Sequence, residues 1–200
     1  MGVQRRRPPR RALVIAGSAG ALPIILAQLK RLTFPTESAV FVVYHRSSNP
    51  SFHLADFARP CQLAIQEAVQ GETVKANVVH HPRDAMDLEV RAGRLVVSEP
   101  QQRNHPNIDR LLASLADEYG AGVTAVLLSG MARDGIRGMQ AIQEAGGRLI
   151  IQDPRHARFP QLPEACIAAG LEGSVVDLPE LHRLAEEALA TDPREFVLNG

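Results

Sequence analysis

Three side chains in this sequence have the chemistry of a nucleophile, its general base and a carboxylate that orients the base. They are Ser18, His45 and Asp134. Each lies at or shortly after the end of a strongly apolar segment, namely 12–16, 39–44 and 123–128. A serine hydroxyl becomes nucleophilic when a histidine lies within hydrogen-bond reach and a carboxylate fixes the tautomer of that histidine. The three residues therefore predict a serine hydrolase site, provided that the fold brings the three segments together.

The elements around these residues indicate how they meet. The apolar segments are typical of buried parallel strands, and segments with helical spacing follow them. Alternation of this kind predicts an α/β fold with a doubly wound, mostly parallel sheet flanked by helices. A small antiparallel hairpin is predicted around residues 88–97. Because parallel strands end at one edge of the sheet, Ser18, His45 and Asp134 are expected at that edge.

The serine lies in a glycine turn, 17–20, directly before a predicted helix. The backbone N–H groups of Ala19, on this turn, and of Met131, on the loop before Asp134, are placed to form an oxyanion hole. Elsewhere the pattern predicts a short helix at 52–58, strands at 64–69 and 74–79, and a loop at 80–84.

Composition limits the function classes. The chain has 200 residues, no Trp and equal numbers of basic and acidic residues, 22 of each. We expect a disordered basic tail over 1–11, one catalytic domain over 12–191 and a frayed end over 192–200. The scarcity of aromatic residues argues against nucleic-acid binding, and no apolar run is long enough to span a membrane. Two widely separated cysteines favour a reducing cytoplasm over a disulfide scaffold or a zinc site.

Other interpretations of the glycine turn stay open at this point. A serine in such a turn is often only a turn or capping residue. A nucleotide site is disfavoured because the chain lacks both GxGxxG and GK[ST], and because the second strand ends in Tyr44-His45 rather than in an acid. His80 and His81, with Asp84, suggest a metal, but adjacent strand residues point to opposite faces. We expect neither a metal nor an organic cofactor.

Several motifs are similar to those of one bacterial family, and they occur in the same order. Gly17-Ser18-Ala19-Gly20-Ala21 resembles A-S-T-G-G, Tyr44-His45-Arg46 resembles Q-H-M, and 105–109 (HPNID) resembles R-P-S-V-D. The segment 127–135 (LLSGMARDG) resembles I-L-T-G-M-G-x-D-G, and 151–153 with 162–165 resembles A-Q-D…M-P-x-x-A. On these motifs the chain resembles, over nearly its whole length, the catalytic domain of the chemotaxis methylesterase (CheB) family.

This resemblance implies a triad of Ser18, His45 and Asp134, with the Met131 backbone helping to hold the oxyanion. It also implies hydrolysis of glutamate γ-methyl esters, with deamidation of glutamines, on a helical cytoplasmic segment of chemoreceptors. Members of the family usually carry a receiver domain before the catalytic domain, whereas here only 11 residues, five of them arginine, precede the first strand. A separate response-regulator protein is therefore an expected partner.

The chain departs from the family pattern at residues expected around the site. Ala19 stands where the family has Thr, Met86 where it has a histidine, and Arg133 where it has a small polar residue. These departures leave two alternatives to a protein-glutamate methylesterase. One is a catalytically silent signalling module that binds a partner helix, and the other is a hydrolase of a different ester or amide.

Overall fold

The computed structural model describes residues 9–32, 37–45, 54, 61–83, 86–100 and 106–190. Its strands are β1 (Ala12–Gly17), β2 (Ala39–Tyr44), β3 (Ala64–Glu67), β4 (Val78–His81), β5 (Asp87–Arg91), β6 (Arg94–Ser98), β7 (Val123–Leu127), β8 (Arg148–Gln152) and β9 (Ser174–Val176). Its helices are α1 (Leu22–Arg31), α2 (Ile108–Tyr119), α3 (Ile136–Glu144), α4 (Gln161–Ala168) and α5 (Leu178–Leu189). Two short 3₁₀ turns, Gly120–Gly122 and Pro154–His156, complete the described elements.

Seven of these strands form one parallel sheet in the order β3-β4-β2-β1-β7-β8-β9. The order reverses direction beside β1, as expected for a doubly wound sheet. The strands β5 and β6 form a separate antiparallel hairpin. The predicted α/β class, the mostly parallel sheet and the hairpin at 88–97 are therefore confirmed.

Alternation along the central strands divides the core between the two faces of the sheet. Val14 and its neighbours on one face pack with residues of α2, α3 and α4, together with the hairpin. Leu13 and Ile15 point to the opposite face, where they pack with α1 and α5. Every residue of β1 and β2 is buried, because a strand covered on both faces can be apolar throughout.

A group of charged residues attaches the hairpin to the start of α2. Asp87 and Glu89, both buried on β5, form ion pairs with Arg110 of α2. The Asp87 carboxylate also accepts a hydrogen bond of 2.8 Å from the Asn107 N–H. Arg91, which is mostly exposed, lies 2.6 Å from the second oxygen of Glu89. The hairpin thus helps to fix the beginning of α2.

The structure corrects two local predictions. The loop predicted at 80–84 is wrong at its start, because His80 and His81 belong to β4 and pair with Gln66 and Glu67 of β3. The strand predicted at 74–79 begins only at Val78, since Asn77 has a left-handed φ of 62° that extended backbone does not allow.

Some predictions fall outside the described residues. Of the helix predicted at 52–58 only Leu54 is described, and residues 1–8 and 191–200 are not described. Within the described ranges, none of the helices is both long and apolar enough to cross a membrane.

Candidate active site

The three predicted site residues lie at the carboxyl ends of adjacent strands. The order β2-β1-β7 places β1 between the two strands that carry the other residues. Ser18 directly follows β1 and His45 directly follows β2, while Asp134 lies in the loop between β7 and α3. Backbone hydrogen bonds join the strand ends, from the His45 N–H to the Gly17 carbonyl at 3.2 Å and from the Ser18 N–H to the Ser129 carbonyl at 2.9 Å.

The three side chains form a continuous hydrogen-bonded chain. Ser18 Oγ lies 3.1 Å from His45 Nδ1, and His45 Nε2 lies 2.8 Å from Asp134 Oδ2. A carboxylate can only accept, so the proton of the neutral ring belongs on Nε2. Nδ1 then carries a lone pair and can accept the proton of the Ser18 hydroxyl. The arrangement is the one that general-base activation of a hydroxyl requires.

The three side chains are largely buried, and burial strengthens the electrostatic interaction between His45 and Asp134. Ser18 is 8% exposed, and the side chains of His45 and Asp134 are 9% and 14% exposed. Burial by itself acts to raise the pKa of Asp134. The hydrogen bond from His45 and those from the backbone N–H groups of Asp109 and Ile108 outweigh it, so that the pKa lies below its usual range. Asp134 is therefore ionised at neutral pH and can hold the Nε2–H tautomer of His45.

The loop after β7 holds the turn that carries Ser18. Ser129 Oγ donates a hydrogen bond of 2.8 Å to the Ala19 carbonyl and accepts one of 3.0 Å from the Phe159 N–H. The Ser129 N–H in turn donates to Oε1 of Gln152 at 2.9 Å. Both Ser129 and Gln152 are fully buried. A buried polar side chain with all these partners fixes the turn in one conformation.

Glycine is required at position 20 of this turn. Gly20 has a φ of 76°, which side chains with a Cβ rarely adopt. A Cβ there would also lie 2.9 Å from Ser129 Oγ and 3.0 Å from the Phe159 ring. The loop therefore packs directly against the backbone of the turn.

The predicted oxyanion donors lie on these two segments. Ala19 follows Ser18 on the glycine turn, and Met131 follows Gly130 on the loop after β7. The Gly130 N–H already donates to the Phe159 carbonyl at 2.9 Å, so it is not available to a substrate. The next backbone N–H along the loop is that of Met131, a residue that is 61% exposed.

The two histidines considered as metal ligands, His80 and His81, contact different backbone groups. His80 Nε2 lies 3.2 Å from the Lys75 N and 3.3 Å from its carbonyl oxygen, whereas His81 Nδ1 lies 3.1 Å from the Pro82 carbonyl. Asp84 is outside the described residues. Among the side chains that are described, no group of three or more His, Cys, Asp or Glu is arranged to hold a metal ion.

Asp109 contacts the site region, although from the sequence it was noted only as part of the motif at 105–109. Asp109 of α2 accepts hydrogen bonds of 2.8 Å from the N–H groups of Gly135 and Gly138, which flank the start of α3. The sequence signal is weak, because an aspartate in a first helical turn is ordinarily assigned to its own helix. Ser129 and Gln152 were noted as motif positions, but nothing local indicated that they contact each other.

A doubly wound α/β sheet with serine, histidine and aspartate hydrogen-bonded at its carboxyl edge has the arrangement of a serine hydrolase. The family with this combination is identified by comparison with known proteins. The profile of the CheB methylesterase family matches residues 13–185. The chain belongs to this family.

Individual relatives agree with this assignment. Protein-glutamate methylesterase/protein-glutamine glutaminase 1 of Cupriavidus metallidurans is 31% identical over 188 residues, which cover 89% of this chain and 51% of the relative. The corresponding enzyme 2 of Cereibacter sphaeroides is 34% identical over 173 residues, covering 80% of this chain and 47% of the relative. The chain thus spans about half the length of these curated relatives.

The fold is also that of a solved relative. The crystal structure of the Thermotoga maritima CheB methylesterase catalytic domain superposes with a TM-score of 0.78 at 24% identity. The superposition covers 88% of this chain and 97% of that domain.

Proposed function

We propose that this chain is a protein-glutamate methylesterase that uses Ser18 as nucleophile, His45 as general base and Asp134 as the orienting carboxylate. The observation that carries the proposal is the hydrogen-bonded chain from Ser18 Oγ through His45 to Asp134 Oδ2. The names of the relatives supply the reaction, hydrolysis of glutamate methyl esters on a protein.

In the first half of the reaction, Ser18 Oγ attacks the ester carbonyl carbon while His45 Nδ1 takes the hydroxyl proton. The resulting oxyanion is held by the N–H groups of Ala19 and Met131, and each such donor is worth about 10²–10³-fold in rate. The tetrahedral species collapses, and His45 returns the proton to the departing methoxide. Methanol leaves and the glutamyl side chain stays esterified to Ser18.

In the second half, water takes the place of methanol. His45 removes a proton from water, the hydroxide attacks the acyl carbon, and the proton returns to Ser18 Oγ as the acyl–oxygen bond breaks. The products are a free glutamate side chain and the original enzyme. A glutamine side chain follows the same steps with ammonia as the leaving group, so glutaminase activity belongs to the same proposal.

The proposed substrate is a methylated, chemoreceptor-like helical segment, and the proposed location is the cytoplasm. Cys61 and Cys166 are both free thiols, which suits a reducing compartment. Control by a separate response-regulator protein stays a prediction.

The test is methanol release from a methylated chemoreceptor fragment, together with labelling by a serine-directed fluorophosphonate mapped to a single residue. Ser18→Ala and His45→Ala should each lower turnover by up to about 10⁶-fold, because triad residues act as a unit. Ser114→Ala is the matched control. Ser114 is as buried as Ser18, at 8%, but it bonds to Val90 and Leu111 in the core.

The outcomes separate the alternatives. Equal methanol release by wild type and Ser18→Ala would refute the proposal. Tight binding of a partner helix without any labelling would indicate a silent module. Labelling with turnover of small esters, but none of the methylated receptor, would indicate a different hydrolase.

A further inference from the structure

The helices α2 and α3 begin side by side. An aspartate at the start of each helix accepts hydrogen bonds from backbone N–H groups at the start of the other. Asp134, one residue before Gly135, accepts hydrogen bonds from the Ile108 N–H at 2.8 Å and the Asp109 N–H at 2.9 Å. Asp109 Oδ1 accepts from the N–H groups of Gly135 and Gly138, both at 2.8 Å. The two carboxylates are thus exchanged between the two helix starts.

This exchange replaces ordinary capping at α3. The first N–H groups of a helix lack intrahelical partners and need acceptors from elsewhere. Gly135 occupies the N-cap position of α3 with a φ of 112° and has no side chain to offer, whereas Asn107 caps α2 through a 2.9 Å bond to the Arg110 N–H. Asp109 is therefore an acceptor for α3 rather than for its own helix.

The backbones of the two helices are too close for this arrangement to shift easily. A Cβ at Gly138 would lie 2.5 Å from Leu112 Cβ and 2.9 Å from the Asp109 carbonyl oxygen. Asp109 Oδ2 also lies 3.2 Å from Arg137 Nε, but that arginine side chain is 80% exposed, so the pair contributes little. The contacts that constrain Asp109 are those to the N–H groups of Gly135 and Gly138.

Asp134 is next to one of these contacts. Its Oδ2 accepts from both the Ile108 N–H and His45 Nε2, each at 2.8 Å, so a shift of the 134–135 backbone changes both distances at once. We infer that Asp109 is a positioning residue that holds Gly135, and through it the Asp134 carboxylate, against His45. This inference rests on the proposed function, in which Asp134 orients the base.

The test compares three substitutions of Asp109 by steady-state methanol release. Asp109→Ala removes the acceptor and should lower kcat by about 10–10²-fold, the range expected when a catalytic group moves by up to about 1 Å. KM should stay within about twofold, because the Asp109 side chain bonds to Gly135, Gly138 and Arg137 and is not proposed to contact the substrate. Asp109→Asn keeps an acceptor oxygen and should retain kcat within about threefold.

Asp109→Glu keeps the charge but moves the carboxylate by one methylene, and it should lower kcat by at least about 10-fold. This order, Asn above Glu, separates geometry from charge. The reverse order would overturn the inference, and the pair decides the question even if the alanine variant does not fold.

Asp177→Ala is the matched control. Asp177 caps α5 by accepting from the Glu180 N–H at 3.0 Å, on a helix that carries none of the site residues. Its loss should lower the melting temperature but leave kcat and KM unchanged. If Asp109→Ala lowers kcat no more than Asp177→Ala does, the inference fails.

A double variant shows whether Asp109 acts through Asp134. Asp109→Ala should add less than about a twofold loss in the Asp134→Ala background, because residues acting through one group are not additive. A full additional loss would contradict the inference. If Ser18→Ala and Asp134→Ala retain wild-type turnover, the proposed function itself is wrong. If both are inactive while Asp109→Ala has normal turnover, the proposed function stands and only the role inferred for Asp109 is wrong.

Discussion

Gly130 lies beside the nucleophile on the loop after β7, and substituting alanine there tests the geometry directly. A Cβ at Gly130 would lie 2.9 Å from Ser18 Cβ and 2.8 Å from Leu162 Cδ2. The loop cannot easily retreat, because the Gly130 N–H donates to Phe159 and its carbonyl accepts from the Leu162 N–H, both at 2.9 Å. Leu162 Cδ2 is the far end of a flexible side chain and can shift, whereas Ser18 Cβ is attached directly to the backbone of the turn, so relief of the contact with Ser18 Cβ requires Ser18 to move.

The size of the effect follows from these distances. Carbon atoms in contact are ordinarily about 3.5 Å apart or more, so the 2.9 Å separation requires Ser18 Cβ to move by about 0.6 Å. Catalytic groups tolerate about 0.5 Å, and a displacement of about 1 Å costs up to about 10²-fold. We expect Gly130→Ala to slow acylation of Ser18 by about 10-fold. Overpacking should also destabilise the fold by about 1–3 kcal/mol.

The assay is the second-order rate of fluorophosphonate labelling, measured beside urea unfolding of the same variant. Gly173→Ala is the control, because a Cβ at that position would lie 3.0 Å from Leu149 Cβ. Gly173 directly precedes β9, so it lies at the amino edge of the sheet, opposite the carboxyl edge that carries Ser18. It should cost stability without slowing the labelling. Labelling of Gly130→Ala at the wild-type rate, or equal slowing in Gly173→Ala, would refute the reasoning.

Three further predictions concern stability and titration. Arg110→Ala removes the cation between two buried carboxylates and should cost about 3 kcal/mol in urea unfolding. Arg91→Ala should cost less than about 1 kcal/mol, because the Arg91 side chain that pairs with the other oxygen of Glu89 is mostly exposed. Folding lowers the pKa of Asp134, so the ionised carboxylate contributes to stability fully above about pH 4. This contribution is lost as the pH falls through the lower pKa of the folded state. Asp134→Asn should therefore weaken the pH dependence of the unfolding free energy in that acidic range. The pKa of Cys166 is raised to about 12, mainly by burial and to a smaller extent by the nearby negative charge of Asp109. Iodoacetamide at pH 8 should therefore alkylate Cys166 only at urea concentrations that unfold the protein. The mass of the peptide that contains Cys166 measures the alkylation.

Each of these has a contrary result. Equal costs for the two arginine substitutions would mean that the hairpin is not held by buried charge. Parallel pH curves for wild type and Asp134→Asn would mean that the folded carboxyl is unshifted. Alkylation of Cys166 in the native protein would mean that the α4 side of the core opens readily.

The sheet and the meeting of Ser18, His45 and Asp134 could be predicted because both depend on strong, local signals. The strands that precede them are continuous apolar runs, and parallel strands necessarily end at one edge. What local patterns cannot supply is pairing across the chain. His80 and His81 have no local strand signal, and their conformation follows from pairing with β3.

The same limit explains why the contacts of Asp109 were not predicted from its place in the motif at 105–109. Propensity rules assign an aspartate at this position to the helix that contains it, whereas its acceptor role is toward residues 26 and 29 positions later in the chain. Only the packing of α2 against α3, with Gly138 allowing the close approach, brings those groups together. Contacts of this kind are a property of the tertiary structure.

The placement of the site on β1, β2 and β7 has a consequence for how the protein folds. His45 lies 27 residues from Ser18 and 89 from Asp134, and the pairing of β1 with β7 joins Ala12 to Val123. Contacts so distant in sequence form slowly, because loop-closure entropy is lost before they contribute. A partly folded chain that lacks β7 has a serine and a histidine but no carboxylate to hold the ring. We therefore expect the reactivity of Ser18 to rise only when the pairing of β1 with β7 is complete, because that pairing brings Asp134 to His45.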